Sequence, residues 1–296
     1  NISGYNLEIG ITTDIEATIK EEGEIVVSAK LFLDIVRRLP EEIVFIETDE
    51  RMVTYIACGK VNYQIVGMSS VEYPDLPSFE QTDRITLNAK ILRDMIRQTV
   101  YAVSENTAKP IYTGSLYEIE DGVFKIIAID GYRMAIRSEN VDSESKNRFV
   151  VPGKTQHEVL KLLTDDEENT EIIIGQRHIT FKIKNYRIIS RLIEGTFIEY
   201  KSAIPKETKT EVVINTRTII DAVERMSLLN NDRIQSPVRC IFSDDEIKLS
   251  CTSAVGRAND VISVPIIGES VEIGFNNRYL LDALKNADTD EIKLIL

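Results

Sequence analysis

Five stretches of this chain repeat one pattern. Two strand-like residues are followed by a small or polar residue, one more residue, a Lys or Arg, and then an apolar helix face. The copies are Val-Val-Ser-Ala-Lys-Leu-Phe-Leu-Asp-Ile-Val (26–36), Thr-Leu-Asn-Ala-Lys-Ile-Leu-Arg-Asp-Met-Ile (86–96), Val-Val-Pro-Gly-Lys-Thr-Gln-His-Glu-Val-Leu (150–160), Val-Ile-Asn-Thr-Arg-Thr-Ile-Ile-Asp-Ala-Val (213–223) and Gly-Phe-Asn-Asn-Arg-Tyr-Leu-Leu-Asp-Ala-Leu (274–284). Anchored on Lys30, Lys90, Lys154, Arg217 and Arg278, the intervals are 60, 64, 63 and 61 residues. A nearly constant period along a whole chain marks one duplicated structural unit. The unit is too long for a solenoid repeat and fits half of a compact domain. One period back from Lys30 falls before Asn1, so the period predicts a natural protein longer at both ends.

Each copy opens with a short β run and a cap-like residue, then a helix of about ten residues. Alternating apolar runs follow, as at Val53-Thr54-Tyr55-Ile56-Ala57 and Ile179-Thr180-Phe181-Lys182-Ile183, and they read as strands. The unit is therefore β-α-β-β-β, and the fold class is α+β. With 296 residues, the chain has room for two or three such domains.

The formal net charge is −13, which argues against a simple basic DNA-binding surface. Distribution matters more than the sum. Acid runs occupy expected loops: Glu21-Glu22-Gly23-Glu24, Asp165-Asp166-Glu167-Glu168 and Asp244-Asp245-Glu246. Bases recur on the repeated helices instead: Lys30, Arg37 and Arg38, then Lys90, Arg93 and Arg97, then Lys154 and Lys161, Arg217 and Arg225, and Arg278 and Lys285. On one helix such residues are simply a solvated face. On five equivalent helices of an acidic chain they predict one positive surface for phosphate backbones, indifferent to base sequence.

Cys58, Cys240 and Cys251 have no metal-ligand spacing, and their sparse use fits a reducing cytosol. His157 and His178 have no ligand cluster around them, so no metal and no cofactor is expected. There is no G-x-x-x-x-G-K-[ST] loop and no G-x-S-x-G elbow. No apolar run approaches the roughly 18–20 residues of a membrane span.

The segment Ile126-Ile127-Ala128-Ile129-Asp130-Gly131-Tyr132-Arg133-Met134-Ala135 carries a motif of the form A-x-D-G-[HY]-R-[LM]-A. With Tyr73-Pro74-Asp75-Leu76-Pro77, Lys109-Pro110-Ile111-Tyr112-Thr113-Gly114, Ser190-Arg191-Leu192-Ile193-Glu194-Gly195 and Glu272-Ile273-Gly274-Phe275-Asn276, it resembles the bacterial DNA polymerase sliding clamp family, the β subunit of the replicative polymerase. The resemblance runs along essentially the whole chain.

That resemblance implies a clamp fold, with helices lining an inner face and antiparallel sheets outside. It implies a head-to-tail homodimeric ring around double-stranded DNA, in the cytoplasm, with no catalytic residues of its own. Implied partners are the replicative DNA polymerase, the clamp loader and other proteins with clamp-binding linear motifs. The implied domains are 1–80, an incomplete first domain, 81–207, and 208–296, lacking its last strands, with boundaries near Pro77–Thr82 and Pro205–Thr210. Carried over by position, a peptide pocket would comprise Tyr112, Ile129, Gly131, Tyr132, Arg133 and Met134 with Ile198, Ser202 and Ala203. Arg133 would hold a polar or carboxylate group of the motif. Phe197-Ile198-Glu199-Tyr200 and Ser202 depart from the family's usual Tyr/Phe-Pro-Asp-Tyr/Thr and Arg. Val261 and Ile262 match edge-strand positions of the ring joint. Two other classes stay open: a docking scaffold without a DNA role, and a hydrolase using Asp130, Tyr132 and Arg133.

Overall fold

The computed structural model describes residues 1–81, 83–164, 168–229 and 236–296. Thr82 and most of the acidic run at 165–168 lie outside them. The chain opens with β1 (Ile2–Tyr5) and β2 (Ile9–Thr13). The first copy supplies α1 (Ala29–Val36), β3 (Val44–Thr48), β4 (Val53–Cys58) and β5 (Val61–Val66). Its leading strand is reduced to a bridge between Val26 and Met68. The second copy is β6 (Asp83–Asn88), α2 (Ala89–Val100), β7 (Gly114–Glu120), β8 (Val123–Ile129) and β9 (Met134–Asn140). The third is β10 (Asn147–Pro152), α3 (Gly153–Leu162), β11 (Asn169–Ile174), β12 (His178–Ile183) and β13 (Tyr186–Arg191). The fourth is β14 (Thr210–Asn215), α4 (Thr216–Ser227), β15 (Val238–Ser243), β16 (Glu246–Ser253) and β17 (Gly256–Ser263). After β18 (Ile266–Gly268) come the elements of the fifth: β19 (Val271–Phe275), α5 (Asn277–Lys285) and β20 (Glu291–Ile295).

The polar residue of the repeat has a local purpose. A helix leaves its first N–H groups without partners, and an Asn or Ser side chain just before it can accept from them. Asn88 Oδ1 accepts from the N–H of Lys90 at 2.9 Å, Asn215 from Thr218 at 3.0 Å and Asn276 from Arg278 at 3.0 Å. Ser28 does the same for Leu31 at 3.4 Å. The third copy has Pro152 at this position and no side-chain cap. The apolar residues then bury one face, as Leu92, Met95, Ile96 and Thr99 do in α2 and Ile219, Ala222, Val223 and Met226 in α4.

Paired copies exchange their leading strands. β10, which leads the third copy, pairs antiparallel with β7 of the second, and β6 in turn joins β11 of the third. The fourth and fifth copies do the same: β14 pairs with β20, and β19 pairs with β15. Neither copy then has a complete sheet alone, so the two depend on each other.

Packing divides the described chain into two compact bodies, residues 1–87 with 168–191 and residues 88–167 with 192–296. This division cuts across the second expected domain. In the first body a six-stranded sheet runs β1-β2-β13-β12-β11-β6. Its β2–β13 ladder sets Gly10 opposite Ile189. A Cβ on Gly10 would lie 2.4 Å from Leu76 and 2.8 Å from Ile189, so close approach requires glycine there. A second sheet, β3-β4-β5, packs Ile56 and Ile65 against Ile35 of α1.

The second body holds the sheets β10-β7-β8-β9, β17-β16-β15-β19 and β18-β14-β20. Under α4, the interior is built from Val223, Met226, Phe242, Ile247 and Leu249, among others. Cys240 and Cys251 are part of this core, and burial pushes the Cys240 thiol up to about 12. No helix of the described residues is long and apolar enough to cross a membrane.

Candidate functional site

The turn joining β8 to β9 is shaped by its own residues. Asp130 Oδ1 accepts from the backbone N–H of Tyr132 at 2.9 Å and of Arg133 at 3.1 Å. This is the local bond that lets Asp replace a backbone acceptor in a turn. Gly131 has φ +98°, a region where a side chain would be strained, and open space lies where its Cβ would be. The turn leaves Tyr132 85% exposed.

Beneath the turn, Ile111, Tyr112, Ile129, Met134 and Ile193 are half-buried against Leu116, Ile127, Val150, Phe197 and Tyr200. The Tyr112 and Phe197 rings meet edge-on at 5.8 Å. Tyr200 donates its hydroxyl to Glu118 at 2.7 Å, and both residues are buried. Burial raises the Tyr200 pKa, and the bond to Glu118 raises it further. The 197–203 segment is thus anchored by Phe197 and Tyr200. Ile198, Ser202 and Ala203, which flank these anchors, stay exposed. The Ser202 hydroxyl donates to the Glu199 carbonyl at 2.8 Å. Together these residues form an apolar surface with an aromatic lip.

Arg133 is bonded within the protein. Its Nε donates to Asp130 at 2.9 Å, one terminal nitrogen to Asp282 at 2.6 Å and the other to the Tyr101 carbonyl at 2.7 Å. The Tyr279 ring lies 4.3 Å from the guanidinium carbon and the Tyr101 ring 5.4 Å. Burial alone would lower the Arg133 pKa, but the bonds to Asp282 and Asp130 outweigh it and hold the pKa raised. Each of its three nitrogens thus already holds an acceptor inside the protein.

Tyr101, Tyr279, Asp282 and Phe197 were not among the residues expected at this site. The sequence carried a usable signal for two of them, since Tyr279 and Asp282 are three apart and therefore share a face of α5. Nothing in the sequence pairs that face with a turn 149 residues away.

The basic helix positions are exposed apart from half-buried Arg93 and Arg97, but most are neutralised. Arg93 and Arg97 lie near Asp94, Arg97 also pairs with Asp288, and Lys161 pairs with Glu158 at 2.7 Å. Arg217 pairs with Asp221 at 2.9 Å, Arg225 with Asp260, and Lys285 with Glu224 at 2.7 Å. The bond from Lys285 holds the Glu224 pKa below the ordinary carboxylate value. Lys154 is exposed and has a partner of its own. Lys30, Arg37, Lys90 and Arg278 are exposed and have no ion-pair partner among the described residues. Among the bases expected to face DNA, a few are thus free cations and most sit in screened pairs.

Two further placements bear on the expectations. β17 is an edge strand, and Val261 on it is half exposed. Ile262 points the other way, into the core around α4. The alternation of side chains along a strand explains the difference. Among the described residues, no three His, Cys, Asp or Glu are grouped to hold a metal.

Three family models match the chain: the DNA polymerase III beta subunit N-terminal domain at residues 1–77, its central domain at 86–199 and its C-terminal domain at 201–296. The chain belongs to the DNA polymerase III beta subunit family, the beta sliding clamps. A beta sliding clamp of Halalkalibacterium halodurans is 35% identical, over 97% of this chain and 77% of that protein. One from Bacillus subtilis is 34% identical, over 94% and 75%. The solved sliding clamp of Bacillus subtilis superposes with a TM-score of 0.95 at 33% identity, covering 99% of this chain and 81% of that one. The Pseudomonas aeruginosa beta subunit gives a TM-score of 0.94 at 25% identity, with the same coverage. The second and third copies fall within the central-domain match, and the fourth and fifth within the C-terminal one.

Proposed function

We propose that the protein is a DNA sliding clamp of the polymerase III holoenzyme, a processivity factor that encircles duplex DNA and tethers the replicative polymerase. The observation that carries this reading is the repeated capped helix, which sets a base at the same early position of each copy, combined with membership of the sliding-clamp family. The chain forms three clamp domains, 1–80, 81–207 and 208–296, and works as a head-to-tail homodimer in the cytoplasm. Exposed Val261 on the β17 edge belongs to the joint. Tethering needs no chemistry, and the clamp has no catalytic site of its own.

DNA is held loosely. Lys30, Arg37, Lys90 and Arg278 supply the strongest attraction, because their charge is not already spent on a carboxylate. The remaining bases, Arg93, Arg97, Lys154, Lys161, Arg217, Arg225 and Lys285, contribute by exchanging partners. Loose contact is what a protein that must slide requires. The clamp loader, the polymerase and other clients dock through linear motifs on the apolar surface of Tyr112, Ile129, Gly131, Tyr132 and Met134, bordered by Ile198, Ser202 and Ala203.

The test is topological. Loaded onto nicked circular DNA, the clamp should stay bound through a high-salt wash and fall off once the circle is cut. Loss from circular and linear DNA at the same rate would reject the ring. One observation favours a docking scaffold without a DNA role, namely the carboxylates beside so many helix bases. That reading predicts equal partner binding with and without DNA and no retention on circles.

A further inference from the structure

Within the peptide-docking reading just given, on which this inference rests, Arg133 stands out as a charged group whose three nitrogens each already hold an acceptor. A guanidinium has five N–H donors in a flat fork. Here its three nitrogens are directed to Asp130, Asp282 and the Tyr101 carbonyl. The side chain is only 17% exposed. Its contacts join three pieces of the second body: the β8–β9 turn, Tyr101 just past the end of α2, and α5. The Tyr279 ring sits 4.3 Å from the same guanidinium and 6.3 Å from the ring of exposed Tyr132.

The local charge supports the same conclusion. One guanidinium faces two carboxylates, so the Asp130–Arg133–Asp282 cluster carries a net negative charge. An acidic group on an incoming peptide would be repelled there, and reaching Arg133 would require breaking a charge-assisted bond. A neutral peptide meets no such cost. Its apolar side chains need only the apolar surface of Tyr112, Ile129 and Met134 beside the turn.

We propose that Arg133 is a positioning residue: bonded to Asp130 and Asp282, it holds the β8–β9 turn against α5, so that Tyr132 and Met134 keep their places on the docking surface for a neutral apolar peptide, and it does not itself touch the peptide. Loss of the Arg133–Asp282 bond would let the β8–β9 turn, with Tyr132 and Met134, drift from α5. Removing either partner should therefore have the same effect on binding, even though Asp282 lies on the third domain's helix.

The experiment measures fluorescence anisotropy of two labelled pentapeptides with leucine and phenylalanine anchors, one ending in a carboxamide and one in a free carboxylate. Parent chain, Arg133→Lys, Asp282→Asn, the double variant and Met134→Asp are compared at a temperature where circular dichroism shows all of them folded. Both single variants should weaken the carboxamide peptide by about three- to tenfold, the range expected for one coupling bond outside the contact surface. The double variant should be no weaker than the weaker single, because the two residues act through one bond. A purely structural role would lower the melting temperature and leave these affinities alone. Parent-like binding of the carboxamide peptide by Asp282→Asn would overturn the brace, as would a loss in Arg133→Lys confined to the carboxylate peptide. If Met134→Asp is silent as well, the docking surface itself falls and the brace with it; if Met134→Asp is weak while Asp282→Asn is silent, only the brace falls.

Discussion

Tyr200 and Glu118 are 82 residues apart in sequence, yet the tyrosine hydroxyl donates to the carboxylate across 2.7 Å in the interior. That bond fastens the 197–203 segment to β7 and leaves Ile198 and Ala203 on the surface. A buried carboxylate that loses a donor bears the desolvation penalty, relieved here only in part by Arg148 at 3.9 Å. Tyr200→Phe is expected to lower unfolding stability by about 1–3 kcal/mol. Urea denaturation measures it, and a parent-like midpoint would argue that the bond is dispensable.

Met134 packs at the edge of the cluster under the β8–β9 turn. Met134→Asp places a poorly solvated charge among apolar neighbours, and peptide affinity should fall by about 1–3 kcal/mol. Calorimetry with a leucine-phenylalanine peptide gives the value. Retention on circular DNA should not change, and a variant that lost the DNA as well would place Met134 in the fold's support instead.

Free and paired helix bases should behave differently toward DNA. Each phosphate contact contributes about 0.9 to the slope of log K against log salt. Lys90→Ala should flatten that slope, whereas Arg225→Ala, which removes a cation already bound to Asp260, should flatten it less. Anisotropy of labelled duplex DNA over a salt series decides between them. Equal slopes would mean that the ion pairs open freely when DNA arrives.

His178 stacks on Phe79 with ring centres 5.8 Å apart. Burial, then the nearby Arg191 and Arg177 charges, lower its pKa from the ordinary 6.5. The folded state therefore resists protonation more than the unfolded chain does. Stability from this group is complete above pH 6.5 and declines as pH falls from there through the folded value. NMR titration of the imidazole should give a midpoint below 6.5, and one at or above it would refute the assignment.

Much of the clamp was legible in one dimension because the determinants are local. The period of five copies, the Asn and Ser caps and the alternating strands each depend on residues a few positions apart. Ser28, Asn88, Asn215 and Asn276 mark helix starts wherever the chain goes afterwards. The Asp130-Gly131 turn is equally local, since its geometry comes from one carboxylate and one residue free to take positive φ. Contacts made across the fold were not legible. Periodicity says nothing about which copy receives a leading strand, and exchange between copies emerges only when sheets pair. Nor does it reveal charge neutralisation. Arg97, Arg225 and Lys285 looked like free cations until folding set Asp288, Asp260 and Glu224 beside them. Arg133 is the clearest instance. The motif identified it as important, but its partner is the Asp282 carboxylate on another domain's helix, and Coulomb attraction acts through space without regard to sequence separation.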